Sequence, residues 1–257
     1  MGEHSVVKAP ARNLSVWGYV AVVVAYLVVV QGSSLFLTRD LDSEYAAPTT
    51  VDAVWRSITV PVGLSLLVVV GVVTALGWWR PVLVDDKPVR PWVIAVPTIM
   101  LAAIVLGTNY AGLADRGLGF TALLLIGALF VGFAEEGMFR GLGLTAFRRN
   151  GFSEGKAALW STVIFGLAHA TNVISEGPGS FVQVLVAALS GYFLYLVRRR
   201  SAGLLLPAVV HGLWDFSLIS ASVVPGKGYF GPVLNILALV VLTVLVLVRR
   251  HQVEPAR

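Results

Sequence analysis

Six ionisable side chains interrupt apolar stretches of this sequence: Glu135, Glu136 and Arg140 in one, His169 in a second, His211 and Asp215 in a third. A glutamate beside a desolvated pocket is a candidate general base toward water. A neutral imidazole across from it can hold the same water, and a second imidazole, with a polar group one turn on, can donate to the oxyanion formed when that water attacks a carbonyl. Arg140 stands four residues after Glu136, the spacing of an intrahelical ion pair, which would leave Glu135 as the reactive carboxylate. That combination describes a water-activating hydrolase. The same residue types admit a second chemistry, because Glu135, His169 and His211 offer oxygen and nitrogen ligands to zinc or another divalent metal, which would sharpen the acidity of a bound water. They also admit a purely structural reading, with Glu136 and Arg140 neutralising each other, Asp215 orienting a buried His211, and His169 serving as a hydrogen-bonded core residue behind Phe165.

The elements that must position these groups follow from composition. Of 257 residues, 57% are hydrophobic and 13% charged, against about 25% charged in soluble domains. The chain reads as an all-α, polytopic membrane protein and not as a nucleic-acid-coating one. With no cysteine, disulfides, Cys-zinc sites and thiol nucleophiles are excluded together. Spanning about 30 Å of hydrocarbon takes about 20 mostly apolar residues, and eight runs present themselves: Leu14–Leu37, Ile58–Trp79, Trp92–Thr108, Leu118–Phe147, Ala157–Ile174, Phe181–Val197, Leu204–Ser222 and Phe230–Val248. The first is too long for a signal-peptide core and reads as retained. The connections are brief, so residues 1–257 read as a single transmembrane domain, with the chemistry in a core of about 118–222. Alternate loops and both termini carry 14 of the 19 Lys and Arg, from Lys8 and Arg12 to Arg250 and Arg257, while Arg39, Arg56, Arg116 and Lys227 lie opposite and Arg140 lies within a run. Such alternation predicts eight helices with both termini cytoplasmic.

Depth links the polar groups. Measured along each run at 1.5 Å per residue, Glu135 lies about 18 Å from the cytoplasmic end, His169 about 20 Å, His211 about 15 Å and Asp215 about 21 Å. An ionisable group at the bilayer centre costs a few kcal/mol and tends to face the bundle interior. Groups from three helices at one depth therefore point to one site near the midplane, in the core of the bundle. The glycines around them (Gly132, Gly137, Gly141, Gly143, Gly166, Gly212) read first as close-packing positions.

The three stretches have the forms EExxxR (Glu135 to Arg140), FxxxH (Phe165 to His169) and HxxxD (His211 to Asp215). In this order on three membrane helices, they resemble the CAAX-protease and bacteriocin-processing (abortive-infection) family of intramembrane proteases. The resemblance implies endoproteolysis near the bilayer on a membrane-protein or lipid-anchored peptide substrate. It implies that Glu135 and His169 activate the water with Glu136 and Arg140 in support, and that His211 and Asp215 occupy oxyanion-stabilising positions. The last position is commonly Asn in the prenyl-protease branch, whereas this chain has Asp215. An ionised aspartate cannot donate to an oxyanion, so Asp215 is protonated, orients His211, or helps bind a metal. Other intramembrane protease classes lack their motifs: there is no HExxH, no Gly-x-Gly-Asp, and Ser190 stands without the leading glycine of a rhomboid-type serine. A catalytically silent scaffold or immunity protein of the same fold, and a proton-coupled carrier, are the competing readings. Gln31, Gln183 and Asn235 read as interhelical hydrogen-bonding groups, Asn172 as a pocket-mouth or capping residue, Trp17, Trp78, Trp79 and Trp92 as interfacial anchors, and Arg198–Arg200 as an orientation signal.

Overall fold

The computed structural model describes residues 12–41, 48–224 and 226–254; Lys8 and Arg257, counted above among the cations, lie outside them. Among the described residues the chain is helical, apart from a single antiparallel bridge between Val84 and Gly203. Five helices are long and apolar enough to cross a bilayer: α1 (Val16–Thr38), α2 (Val51–Leu76), α5 (Leu118–Arg149), α7 (Ser180–Ser201) and α9 (Gly231–Gln252). Between them lie α3 (Pro91–Gly107), α4 (Tyr110–Arg116), α6 (Glu154–Ala168) and α8 (Leu205–Ser220). The chain is an integral membrane protein, but the expected count of eight full spans is not confirmed. The third apolar run breaks after Gly107 and bends by 54° into α4, so the pair makes at most one broken span and raises the count to six. The fifth and seventh runs yield helices of 15 and 16 residues, about 22–24 Å long at 1.5 Å per residue and short of the hydrocarbon thickness. These two short helices carry His169, at the end of α6, and His211 with Asp215, within α8.

The site depends on how closely α5 and α8 approach. A Cβ built on Gly212 of α8 would lie 2.7 Å from the Ala128 carbonyl oxygen and 2.8 Å from the Leu129 Cα of α5. One on Gly132 of α5 would overlap the Ala208 carbonyl oxygen and lie 2.6 Å from the Gly212 nitrogen. The helices meet backbone against backbone, so neither position admits a methyl group without separating them. The packing reading of these glycines therefore holds. Gly132→Ala is expected to destabilise the protein by about 1–3 kcal/mol; an unchanged thermal unfolding midpoint would contradict the crossing. Gly191 of α7 serves similarly, since a Cβ there would meet the Arg140 guanidinium at 2.5 Å and the Phe165 ring at 2.7 Å.

At one end of the bundle, the segment after α2 is stitched to the α7–α8 turn: Leu204 N–H donates to Leu83 O and Asp85 N–H to Ala202 O, each at 3.0 Å. The Asp85 carboxylate accepts from Arg148 Nη2 at 2.9 Å and Arg198 Nε at 3.0 Å. Arg199 reaches Glu154 and Glu254, and Arg148 also pairs with Glu154. Arg198 and Arg199 are buried and only Arg200 of the triplet is exposed, so two of the three supposed orientation charges are internal fasteners. Trp78 is likewise buried, its Nε1–H donating to Arg12 O at 3.0 Å, so it is no interfacial anchor; Trp17 and Trp79 are exposed. Burial pushes the Asp85 carboxyl up, but Arg148 and Arg198 pull it further down, to a net value below its ordinary range. A group depressed on folding contributes stability above its unfolded pKa and loses it as pH falls through the folded value. The wild-type unfolding midpoint should therefore drop on acidification. Asp85→Asn should lower the midpoint at neutral pH, by about 1.5–3 kcal/mol per lost charged hydrogen bond, and should flatten the acid limb.

Candidate active site

Midway along α5 the backbone changes from α-helical to π-helical over Glu136–Gly143, a stretch containing Gly137, Gly141 and Gly143. A π turn closes i→i+5 bonds, widens the helix, and is frequent at functional sites. All eight residues of the stretch are buried. Its first and fifth residues pair: Arg140 Nη1 donates to Glu136 Oε1 at 2.8 Å, with both side chains fully buried. The same oxygen lies 3.0 Å from His211 Nδ1. A carboxylate only accepts, so Nδ1 carries a hydrogen. Glu136 thereby links α5 to α8.

The other ring nitrogen of His211 faces two acids, with Nε2 3.6 Å from Glu135 Oε2 and 3.6 Å from Asp215 Oδ2. Both distances exceed a hydrogen bond and suit a bridging water. Glu135 Oε2 has no hydrogen-bond partner among the described residues. Glu135, His169 and Asp215 share the wall of a cleft of about 420 Å³ with Gln31, Asn172 and Gln183. His169 begins the 3-10 turn His169–Asn172 that ends α6, and its Nδ1 lies 3.0 Å from the Phe165 carbonyl oxygen. That oxygen also only accepts, so Nδ1 carries the hydrogen and Nε2 is left as the acceptor of a neutral ring. Five of the six site residues are thus tied together by direct contacts or by the shared cleft, and Arg140 is held behind them by Glu136.

Two features carried no signal strong enough to be read from the sequence. Phe165 is a hub: its ring lies 4.0 Å below the Arg140 guanidinium, 4.8 Å from the His169 ring, 5.7 Å from the His211 ring and 5.1 Å from Phe139. Only its place four residues before His169 hinted at a role. The second is a chain of amides, in which Gln31 Nε2 donates to Thr171 Oγ1 at 3.0 Å and Asn172 Oδ1 at 2.9 Å, and Asn172 Nδ2 donates to Gln183 Oε1 at 2.9 Å. It fastens the His169 turn to α1 and α7 at once. Gln31 and Gln183 are therefore interhelical as expected, whereas the Asn235 side chain, buried in α9, has no hydrogen-bond partner.

A zinc-type ligand set of Glu135, His169 and His211 is not formed. Among the described residues no group of three or more His, Asp or Glu side chains is placed to hold a metal ion. His211 already presents one nitrogen to Glu136 and its other to a pair of carboxylates, so the donor geometry does not fit a tetrahedral site, and no step below passes through a metal.

Residues 117–217 match the family model described as Rce1-like, type II CAAX prenyl endopeptidase Rce1-like. No curated protein and no solved structure matches the chain. The matched stretch contains all three motifs and is consistent with the CAAX-protease family that they resemble.

Proposed function

We propose that the chain hydrolyses a peptide bond of a membrane-bound or lipid-anchored substrate with a water activated by Glu135 and His169. The carbonyl carbon of the substrate enters the cleft beside Glu135. Water donates one hydrogen toward a Glu135 carboxylate oxygen and the other toward His169 Nε2. As its oxygen bonds to the carbonyl carbon, a proton passes to Glu135, and the former carbonyl oxygen becomes the oxyanion. His211 meets it as an imidazolium: Nδ1–H stays on Glu136, and a second hydrogen on Nε2, the nitrogen that faces Glu135 and Asp215, donates to the oxyanion. Collapse of the tetrahedral species breaks the C–N bond, and Glu135 returns its proton to the leaving amine, which restores the carboxylate. Glu136 fixes the His211 ring through Nδ1, Arg140 balances Glu136, and Asp215 orients the far side of the same ring, which removes the need for this aspartate to act as an oxyanion donor.

The observation that carries this reading is the carboxylate of Glu135, whose Oε2 makes no hydrogen bond among the described residues, set in a cleft wall shared with His169 and Asp215. Both termini are assigned to the cytoplasm by the cation distribution. The test is a comparison of membrane proteomes from cells bearing the wild-type chain and Glu135→Gln. Protein termini present only with the wild type are expected; identical sets of termini would overturn the proposal in favour of a silent scaffold.

A further inference from the structure

The cations on the face that carries the Asp85 network are unequally satisfied. Arg148, Arg198 and Arg199 each pair with at least one of Asp85, Glu154 and Glu254, and Lys87 Nζ lies 3.7 Å from Glu154. Arg80 and Arg149 are exposed and pair with no acid among the described residues. Arg149 is nonetheless held in place, its guanidinium stacked 4.7 Å from the buried Trp78 ring, which leaves its five N–H groups free to face a ligand. These two arginines, with Lys87, Arg148, Thr145 and Asp86, line a cleft of about 280 Å³. With Lys87 and Arg148 paired to acids outside it, the cleft keeps Arg80 and Arg149 against the single carboxylate of Asp86 and is net positive. Its edge at Val84 adjoins a second groove of about 410 Å³, walled by Leu83, Leu204, Leu205 and Val209. Leu83, Val84 and Leu205 are exposed, as is Trp79 beside Arg80. A basic hollow and an apolar one are thus lined by the consecutive residues Val84 and Leu83, near an exposed tryptophan of the kind that marks a membrane interface.

We propose that this pair of hollows binds one anionic glycerophospholipid, its phosphate held by Arg80 and Arg149 and an acyl chain laid along the Leu83–Leu205 groove. The bidentate fork of arginine suits a phosphate monoanion. Asp85 and Glu154 of the neighbouring network are engaged by Lys87, Arg148, Arg198 and Arg199, so Asp86 is the one carboxylate lining the cleft. The occupant is a lipid and not a free anion because the apolar groove would otherwise face water where the chain leaves the bilayer.

The test is native mass spectrometry of the full-length protein, released from nanodiscs containing phosphatidylglycerol and phosphatidylcholine in equal amounts. One retained phosphatidylglycerol per chain is expected, at least tenfold enriched over phosphatidylcholine. Arg80→Gln with Arg149→Gln is expected to abolish the enrichment, while Arg250→Gln, an exposed cation of the same face outside the cleft, leaves it intact. Arg149→Lys, which keeps the charge and loses the fork, is expected to give an intermediate value and controls for misfolding of the double variant. Equal losses in the Arg250 and the Arg80/Arg149 variants would reduce the site to diffuse surface charge and overturn the proposal. Displacement of the lipid by millimolar inorganic phosphate would also overturn it, by showing that the acyl groove contributes nothing. Because the readout needs no cleavage, failure here leaves the protease reading untouched, and failure of that reading leaves this one standing.

Discussion

Glu135→Gln is expected to lower kcat by roughly 10²–10⁴-fold, the range supplied by a positioned general base, with KM changed little. Glutamine has the shape of glutamate and the same place on the cleft wall, but it cannot take a proton from water or return one to the leaving amine. The residue is the right one to alter because its neighbour is already committed. Glu136 Oε1 accepts from Arg140 Nη1 and lies 3.0 Å from His211 Nδ1, and the residue is fully buried. The Glu135 carboxylate is part-exposed and makes no hydrogen bond through Oε2. Two adjacent glutamates, alike in sequence, are separated in role by the onset of the π-helical stretch between them. The measurement is steady-state cleavage of a lipid-anchored peptide by purified protein, alongside the unfolding midpoint. A variant with raised KM and unchanged kcat would make Glu135 a substrate-binding group, and one with full activity would remove it from the mechanism.

The residue types and their order were legible in the sequence because burying charge in lipid is costly, so each ionisable group stands out against an apolar background. The depth argument also placed them together correctly, since a helix converts residue number into distance. What periodicity could not supply was rotation and length. Nothing in Glu136–Gly143 marks a π-helical stretch except its three glycines, yet that stretch aims Glu136 at His211. The eight apolar runs do not map onto eight straight helices: the fifth passes through the 3-10 turn His169–Asn172 into the short helix Val173–Glu176, and nothing in its hydropathy marks the change. The arginine triplet misled in the opposite direction. Cations after an apolar run orient a helix in general, but Asp85, 113 residues before Arg198, captures this one, and no local pattern announces so distant a partner.

Arg140→Met is expected to cost about 3–5 kcal/mol of stability, because it strands the fully buried carboxylate of Glu136 without its counter-charge. It also removes the cation from the face of Phe165, on whose edges the rings of His169 and His211 rest. A structural pair and a catalytic support both predict that loss, so the single variant cannot separate them. The double variant Glu136→Gln with Arg140→Met does. It removes both charges and keeps comparable volume, and replacing a whole buried pair with neutral groups is often neutral for stability. Its unfolding midpoint should return most of the way to that of the wild type. Cleavage should not return, since an amide oxygen at position 136 is a weaker acceptor for His211 Nδ1–H than a carboxylate and the ring loses the charge that orients it and supports its protonated form. Stability regained without activity would show that the pair orients the histidine that meets the oxyanion. Recovery of both together would assign Glu136 and Arg140 to packing alone and leave Glu135, His169 and His211 to carry the chemistry unaided.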